Sequence, residues 1–125
     1  MNWTFEKFED PEHIRIVGNG LFSSEGFTQM FDELFGLEYW RFGMPLFFDH
    51  RKLDLSTANA LDLLAASNDF IGRNNELAFT RIAVIFDDSV LDLAMRFNSI
   101  TKPASKAWVH LYREEKDAHE WLTLR

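Results

Sequence analysis

Apolar and polar positions alternate at the start of the chain. Trp3 and Phe5, followed by Phe8, stand against Thr4, Glu6 and Lys7, and a period of two marks a strand with one buried face. Asp10-Pro11-Glu12 is a turn signal. Beyond it, His13-Ile14-Arg15-Ile16-Val17-Gly18 alternates again, with Ile14 and Ile16 on one face. Two alternating segments joined by a short polar turn predict an antiparallel pair. Gly18-Asn19-Gly20 reads as a lone turn after the second strand.

The period then changes to that of a helix. Phe27, Met30, Phe31 and Leu34 fall at i, i+3, i+4 and i+7, with Ser23 or Ser24 as the cap and Gly36 as the stop. Leu46-Phe47-Phe48, ending in Asp49, is apolar at consecutive positions, the mark of a strand covered on both faces. Ser56 or Thr57 is placed to cap a second helix, with Leu61, Leu64 and Ala65 inward and an end near Gly72. Arg81-Ile82-Ala83-Val84-Ile85-Phe86 is the clearest strand of the chain. A third helix, capped by Asp87, Asp88 or Ser89, carries Val90, Leu93, Ala94 and Phe97. Pro103 breaks the chain, Ala107 to Tyr112 forms a last strand, and Glu114 to Leu124 a last helix anchored by Ala118, Trp121 and Leu122. The order β-β-α-β-α-β-α-β-α predicts an α/β fold: a mixed, mostly parallel sheet of about five strands with helices packed on it.

With 125 residues and no linker, repeat or low-complexity run, the chain reads as a single domain over 1–125. Thirteen Phe and four Trp predict an aromatic core or an aromatic pocket within it. Thirteen basic against twenty acidic residues leave a net charge of −7, which argues against nucleic acid as a partner and against a polybasic membrane anchor. The absence of Cys excludes disulfides, thiolate metal sites and cysteine nucleophiles. No apolar run reaches the roughly 18 residues of a membrane span, and the first residues lack the features of a signal peptide. A cytoplasmic location is expected.

Three segments resemble one known family. Leu46-Phe47-Phe48-Asp49 is similar to its strand ending in Asp. Ile82-Ala83-Val84-Ile85, followed by Leu91 to Phe97, resembles its next strand and small-residue helix. Val109 to Arg113, with Ala118-His119-Glu120-Trp121-Leu122, resembles its closing strand and Ala-x-x-Trp-Leu helix. The family is the SpoIIAA-like family of the STAS-like superfamily (sulfate transporter and anti-sigma-factor antagonist domains). The resemblance implies a single STAS-like domain. It also implies a binding partner switched by phosphorylation of a Ser at the start of the helix after the third strand. A gap-free fit from Asp49 to Leu61 puts Ala58 at that Ser, and Ala cannot carry a phosphate. Ser56 and Thr57 remain as the nearby switch candidates, with the helix cap as their other role.

The four His residues show no metal-ligand spacing. His50 sits beside Asp49 where the third strand is expected to end. Asp87 and Asp88 follow the fourth strand and Arg113 the fifth. Ligands of open parallel sheets gather beyond the carboxyl ends of strands, so Asp49, His50, Asp87 and Arg113 form a candidate polar site. Its competing explanation is plain loop polarity and helix capping. Glycine-rich phosphate loops and the Gly-x-Ser-x-Gly elbow are missing, and no catalytic residue, metal or cofactor is expected. Phe31 and Phe35, with Tyr39, Trp40 and Phe42 in the segment after the first helix, are candidates for a hydrophobic pocket or a subunit interface. Trp40 could serve as a dimer anchor or as a lid over its own core.

The expectation is thus a non-enzymatic regulatory or protein-interaction module. Its partner would be another protein or a second copy in a homodimer. The alternative is a binder or carrier of a hydrophobic small molecule or lipid.

Overall fold

The computed structural model describes residues 1–124. Its strands are β1 (Asn2–Glu9), β2 (Glu12–Leu21), β3 (Leu46–Asp54), β4 (Arg81–Ile85) and β5 (Trp108–Tyr112). Its helices are α1 (Ser24–Phe35), α2 (Ala60–Gly72), the short α3 (Asn74–Leu77), α4 (Leu91–Thr101) and α5 (Glu115–Leu122). The five strands lie in the order β1-β2-β3-β4-β5. β1 and β2 are antiparallel and every later pair is parallel, as the alternation of strands and helices requires.

The sheet advances in one direction, so crossovers of one hand place their helices on one face. α1, α2 and α4 cover that face through Phe27, Met30, Phe31, Leu34, Ala66, Phe70 and Ala94, against Ile14, Ile16, Leu46, Phe48, Ile82 and Val84. α5 makes no crossover and covers the other face, where Ala118 and Leu122 pack on Phe47, Ala83 and Ile85. The unbroken apolar run of β3 is explained by this: Leu46 and Phe48 serve one layer and Phe47 the other.

Ser23 caps α1, its side chain accepting the Gly26 N–H at 2.9 Å. The other two expected caps are corrected. α2 begins at a capping box in which Asn59 Oδ1 accepts the Asp62 N–H at 2.9 Å and Asp62 Oδ2 accepts the Asn59 N–H at 3.1 Å. Ser56 and Thr57 instead lie in the preceding turn, with the Ser56 N–H donating to Asp54 Oδ1 at 2.9 Å. The later start sets the helix phase. Leu63, Ala66, Ser67 and Phe70 face inward, while Leu61 and Leu64 are 75% and 48% exposed and Ala65 is also exposed. α4 has no side-chain cap, since its N-cap position is Val90, and Asp87 Oδ1 instead accepts the N–H and hydroxyl of Ser89. Its expected inner face holds, with Val90 and Ala94 buried and Leu93 and Phe97 half-buried.

The unforeseen α3 secures the return to β5. Its Asn74 amide donates to the Ala104 carbonyl at 2.9 Å and accepts the Lys106 N–H at 3.0 Å.

Asn59→Ala is expected to lower stability by about 1 kcal/mol through loss of the capping box. Ser56→Ala and Thr57→Ala should stay within roughly 0.5 kcal/mol of the native protein. Urea denaturation measures all three. A larger loss at Ser56 or Thr57 than at Asn59 would contradict this assignment of the cap.

Candidate functional site

The sheet departs from regular pairing at one place. Val17 pairs with Asp49 and Asn19 with Lys52, so His50 and Arg51 together oppose Gly18 alone. An extra residue of this kind is a β-bulge, which re-aims side chains next to it. Before the bulge, the even-numbered Leu46 and Phe48 point toward α1, α2 and α4; after it, the odd-numbered Leu53 and Leu55 do. His50 stands at the change of phase and shares their wall. A Cβ on Gly18 would lie 3.2 Å from His50 Cδ2, so the bare backbone there leaves room for the imidazole. The glycines read as a turn are therefore inside β2, which runs on to Leu21.

His50 lines an apolar cavity of about 100 Å³ between the sheet and the three helices. Phe31, Phe48, Phe70, Phe86 and Phe97 form much of its wall, and every lining side chain other than His50 is Phe, Leu, Ile, Val or Ala. Phe22, Leu55, Ala58 and Leu93 are the half-buried residues at the carboxyl ends of the strands and the N-terminal ends of the helices, where open parallel sheets collect ligands. The imidazole meets the rings of Phe48 and Phe86 edge-on at 5.4 and 6.4 Å. Its Nε2 is buried and has no hydrogen-bond partner, a condition shared among the described residues only by Thr80 Oγ1. Burial lowers the His50 pKa to about 4, against a smaller opposing pull from the Asp49 charge. His50 is therefore neutral at physiological pH.

The opposite face of the bulge is charged. Arg51 grips Asp49 through Nε at 2.9 Å, Nη2 at 2.7 Å and its backbone N–H at 3.2 Å. Arg15 donates to the same carboxylate at 3.1 Å, lies 4.8 Å over the Phe47 ring and also pairs with Glu115 of α5. Burial would raise the Asp49 pKa, but the hydrogen bonds and charge of Arg51, with Arg15, prevail and hold it at about 2.

The expected polar site at the strand ends does not assemble. Asp49 and His50 are consecutive residues on a strand and project to opposite faces. Arg113 pairs with Asp88 at 3.4 Å and Asp87 with Ser89. His50 belongs instead to the apolar site, together with Phe31. Of the aromatic segment, Phe35 and Trp40 pack on each other at 5.1 Å, and Tyr39 lies under Lys7 at 5.7 Å. Phe42 is 58% exposed. Trp40 is thus folded onto its own core. Ala58, at the position of the expected switch Ser, is half-buried against the cavity, while Ser56 and Thr57 are exposed.

A solved structure of an uncharacterized protein of the DUF3478 family with a SpoIIAA-like fold, from Shewanella loihica PV-4, superposes with a TM-score of 0.63. The match has 18% sequence identity and covers 97% of this chain and 92% of that one. The fold is therefore SpoIIAA-like. No protein-family model matches the chain, and no curated protein does. Among the described residues, no helix is long and apolar enough to cross a membrane.

Two pH windows follow from the two neighbours. His50 drops from its ordinary 6.5 to about 4 on folding, so between those values the unfolded chain binds the extra proton and stability falls as pH falls. Asp49 drops from 3.8 to about 2, so its contribution is present above 3.8 and is lost on acidification toward 2. Denaturation midpoints across pH should show both declines. His50→Phe should flatten the upper one and Asp49→Asn the lower one. An unchanged upper slope in His50→Phe would contradict the burial of a neutral imidazole.

Proposed function

We propose that this protein is a non-enzymatic regulatory domain that acts by binding, and that its occupant is a small apolar molecule held between the sheet and α1, α2 and α4. The observation that carries this reading is the aromatic cavity, whose accessible wall is wholly apolar. Close packing is the rule in protein interiors, and voids larger than a water are few. An empty space also forgoes the dispersion contacts its lining would otherwise make. An engineered apolar cavity of about 150 Å³ in another protein stays dry and binds benzene, so a site of about 100 Å³ suits compact molecules. The charged groups of the site face away from the cavity, which supports binding rather than catalysis.

Native mass spectrometry of freshly purified protein is expected to show a bound species that organic extraction removes. Ala66→Leu, which places new carbons in the cavity wall, should abolish it. Mass spectra of the bare chain, together with no thermal stabilisation by toluene, would contradict the reading.

A second reading, self-association, is supported by the free edge of β5. Trp108 donates to the Thr80 carbonyl at 2.9 Å and the Tyr112 carbonyl accepts from Phe86 at 3.2 Å. The alternate residues Val109 and Leu111 therefore turn their backbone groups to the open edge. At its start, Phe79 and Trp108 are 65% and 52% exposed and meet edge-on at 6.2 Å. Two such edges can pair about a twofold axis. Light scattering should then show a dimer that grows with concentration and weakens in Trp108→Ala. A monomer throughout the high micromolar range would contradict it.

A further inference from the structure

The free edge of β5 lies along an open groove, and the side chains of that groove select what can pair there. We propose that it takes an extended acidic peptide of another protein, added to the sheet beside β5, with carboxylates at the Trp108 end.

The backbone supplies the first part of the site. Val109 and Leu111 turn their N–H and C=O groups to the edge, while Trp108, His110 and Tyr112 bond toward β4. Such a row is a template for a further strand. Natural sheets blunt their edges with Lys, other charged residues or Pro. β1, at the other edge, carries Glu6, Lys7 and Glu9. β5 reads Trp-Val-His-Leu-Tyr and has none of these.

The groove supplies the second part. It has two stretches that share Asn98, Lys102, Val109 and His110. The stretch at the Trp108 end, of about 460 Å³, is lined by Arg81, Lys102 and His110 together with Trp108 and Trp121. The next, of about 350 Å³, sets Met95 of α4 beside Val109, Leu111 and Tyr112. Among the described residues, neither lining holds an Asp or Glu, although the whole chain has a net charge of −7. Asp88 and Asp92 are engaged by Arg113 and Arg96. An added strand would place apolar side chains against Met95, Val109 and Leu111, and carboxylates against the basic groups at its Trp108 end. Complementary charge of this kind steers the encounter and fixes register. A second copy, the occupant considered above, would bring the same basic lining and leave those groups unmatched. Phe79 marks the same end. Its φ of 62° lies in the left-handed region, where a bulky residue is an outlier. Its N–H donates to the Lys106 carbonyl at 2.9 Å, and its ring stays exposed against Trp108. Backbone strain of this kind clusters at ligand clamps.

The probe is a short fluorescent peptide of alternating Val and Thr with a pair of Glu at each end, compared with its Gln counterpart. Fluorescence anisotropy should show saturable binding to the native protein that salt weakens. Binding should fall about threefold or more for the Gln peptide, and likewise for Lys102→Glu. Hydrogen exchange followed by NMR reads the docking mode without a variant: the Glu peptide should protect the Val109 and Leu111 amides. Val109→Pro removes a donor that faces away from β4, a change an edge strand tolerates, and should abolish binding. Ala66→Leu, which fills the interior cavity, should bind the peptide as the native protein does, so this inference and the apolar-ligand reading fail separately. Equal binding of the two peptides would overturn the acidic partner, and binding without protection at Val109 and Leu111 would overturn the strand addition. No binding would overturn the proposal outright, whether light scattering then finds a monomer or a dimer that keeps the edge for itself.

Discussion

One extra residue in β3 organises the domain. Because His50 and Arg51 share the place opposite Gly18, the strand changes phase midway. Leu46 and Phe48 face the three-helix layer before the change, and Leu53 and Leu55 face it afterwards. A strand in strict alternation would have turned Lys52 and Asp54 into that layer. The bulge keeps lysine and aspartate outside, extends the β2–β3 pair beyond the end of β4, and leaves a histidine at the seam.

The charged face fixes this irregularity. A bulge removes ladder hydrogen bonds, and here the Asp49 carboxylate supplies replacements on the outer side, accepting from both the backbone and the side chain of Arg51. Arg15 links the same carboxylate to Glu115, and so to α5. An ion pair gains most where partial burial excludes water and several hydrogen bonds satisfy it. Asp49 meets both conditions. The two faces of the sheet thus have different tasks. The polar face holds the backbone in its irregular path, and the apolar face uses that path to enclose a space.

Much of this was legible in the sequence, and the parts that were not have identifiable causes. Alternation at Ile14 and Ile16 and the doubled apolar run at Leu46-Phe47-Phe48 marked which strands have one or two covered faces. The SpoIIAA-like fold was expected from the resemblance of three short segments, and the superposition bears it out. The bulge was hidden because His50-Arg51-Lys52 is polar and imitates the end of a strand. Its one sequence trace is Gly18, whose missing side chain matters only across the sheet. The inner face of α2 was misread because Leu61, Leu63, Leu64, Ala65 and Ala66 surround the helix with apolar groups. Periodicity then selects no face, and the Asn59–Asp62 capping box does. The strand-end cluster failed for a simpler reason: Asp49 and His50 alternate in the strand, Asp49 held by Arg15 and Arg51 on one face and His50 against the cavity on the other.

The account stands on the interior space beside His50, and xenon reads that space directly. The protein would be unfolded and refolded to release any co-purified molecule, crystallised, and pressurised with xenon, which enters dry apolar cavities. The predicted result is a strong anomalous peak among Phe31, Phe48, Phe70 and Phe97, absent from crystals of Ala66→Leu. A map with no interior xenon, in which the aromatic side chains have closed over the space, would contradict the account.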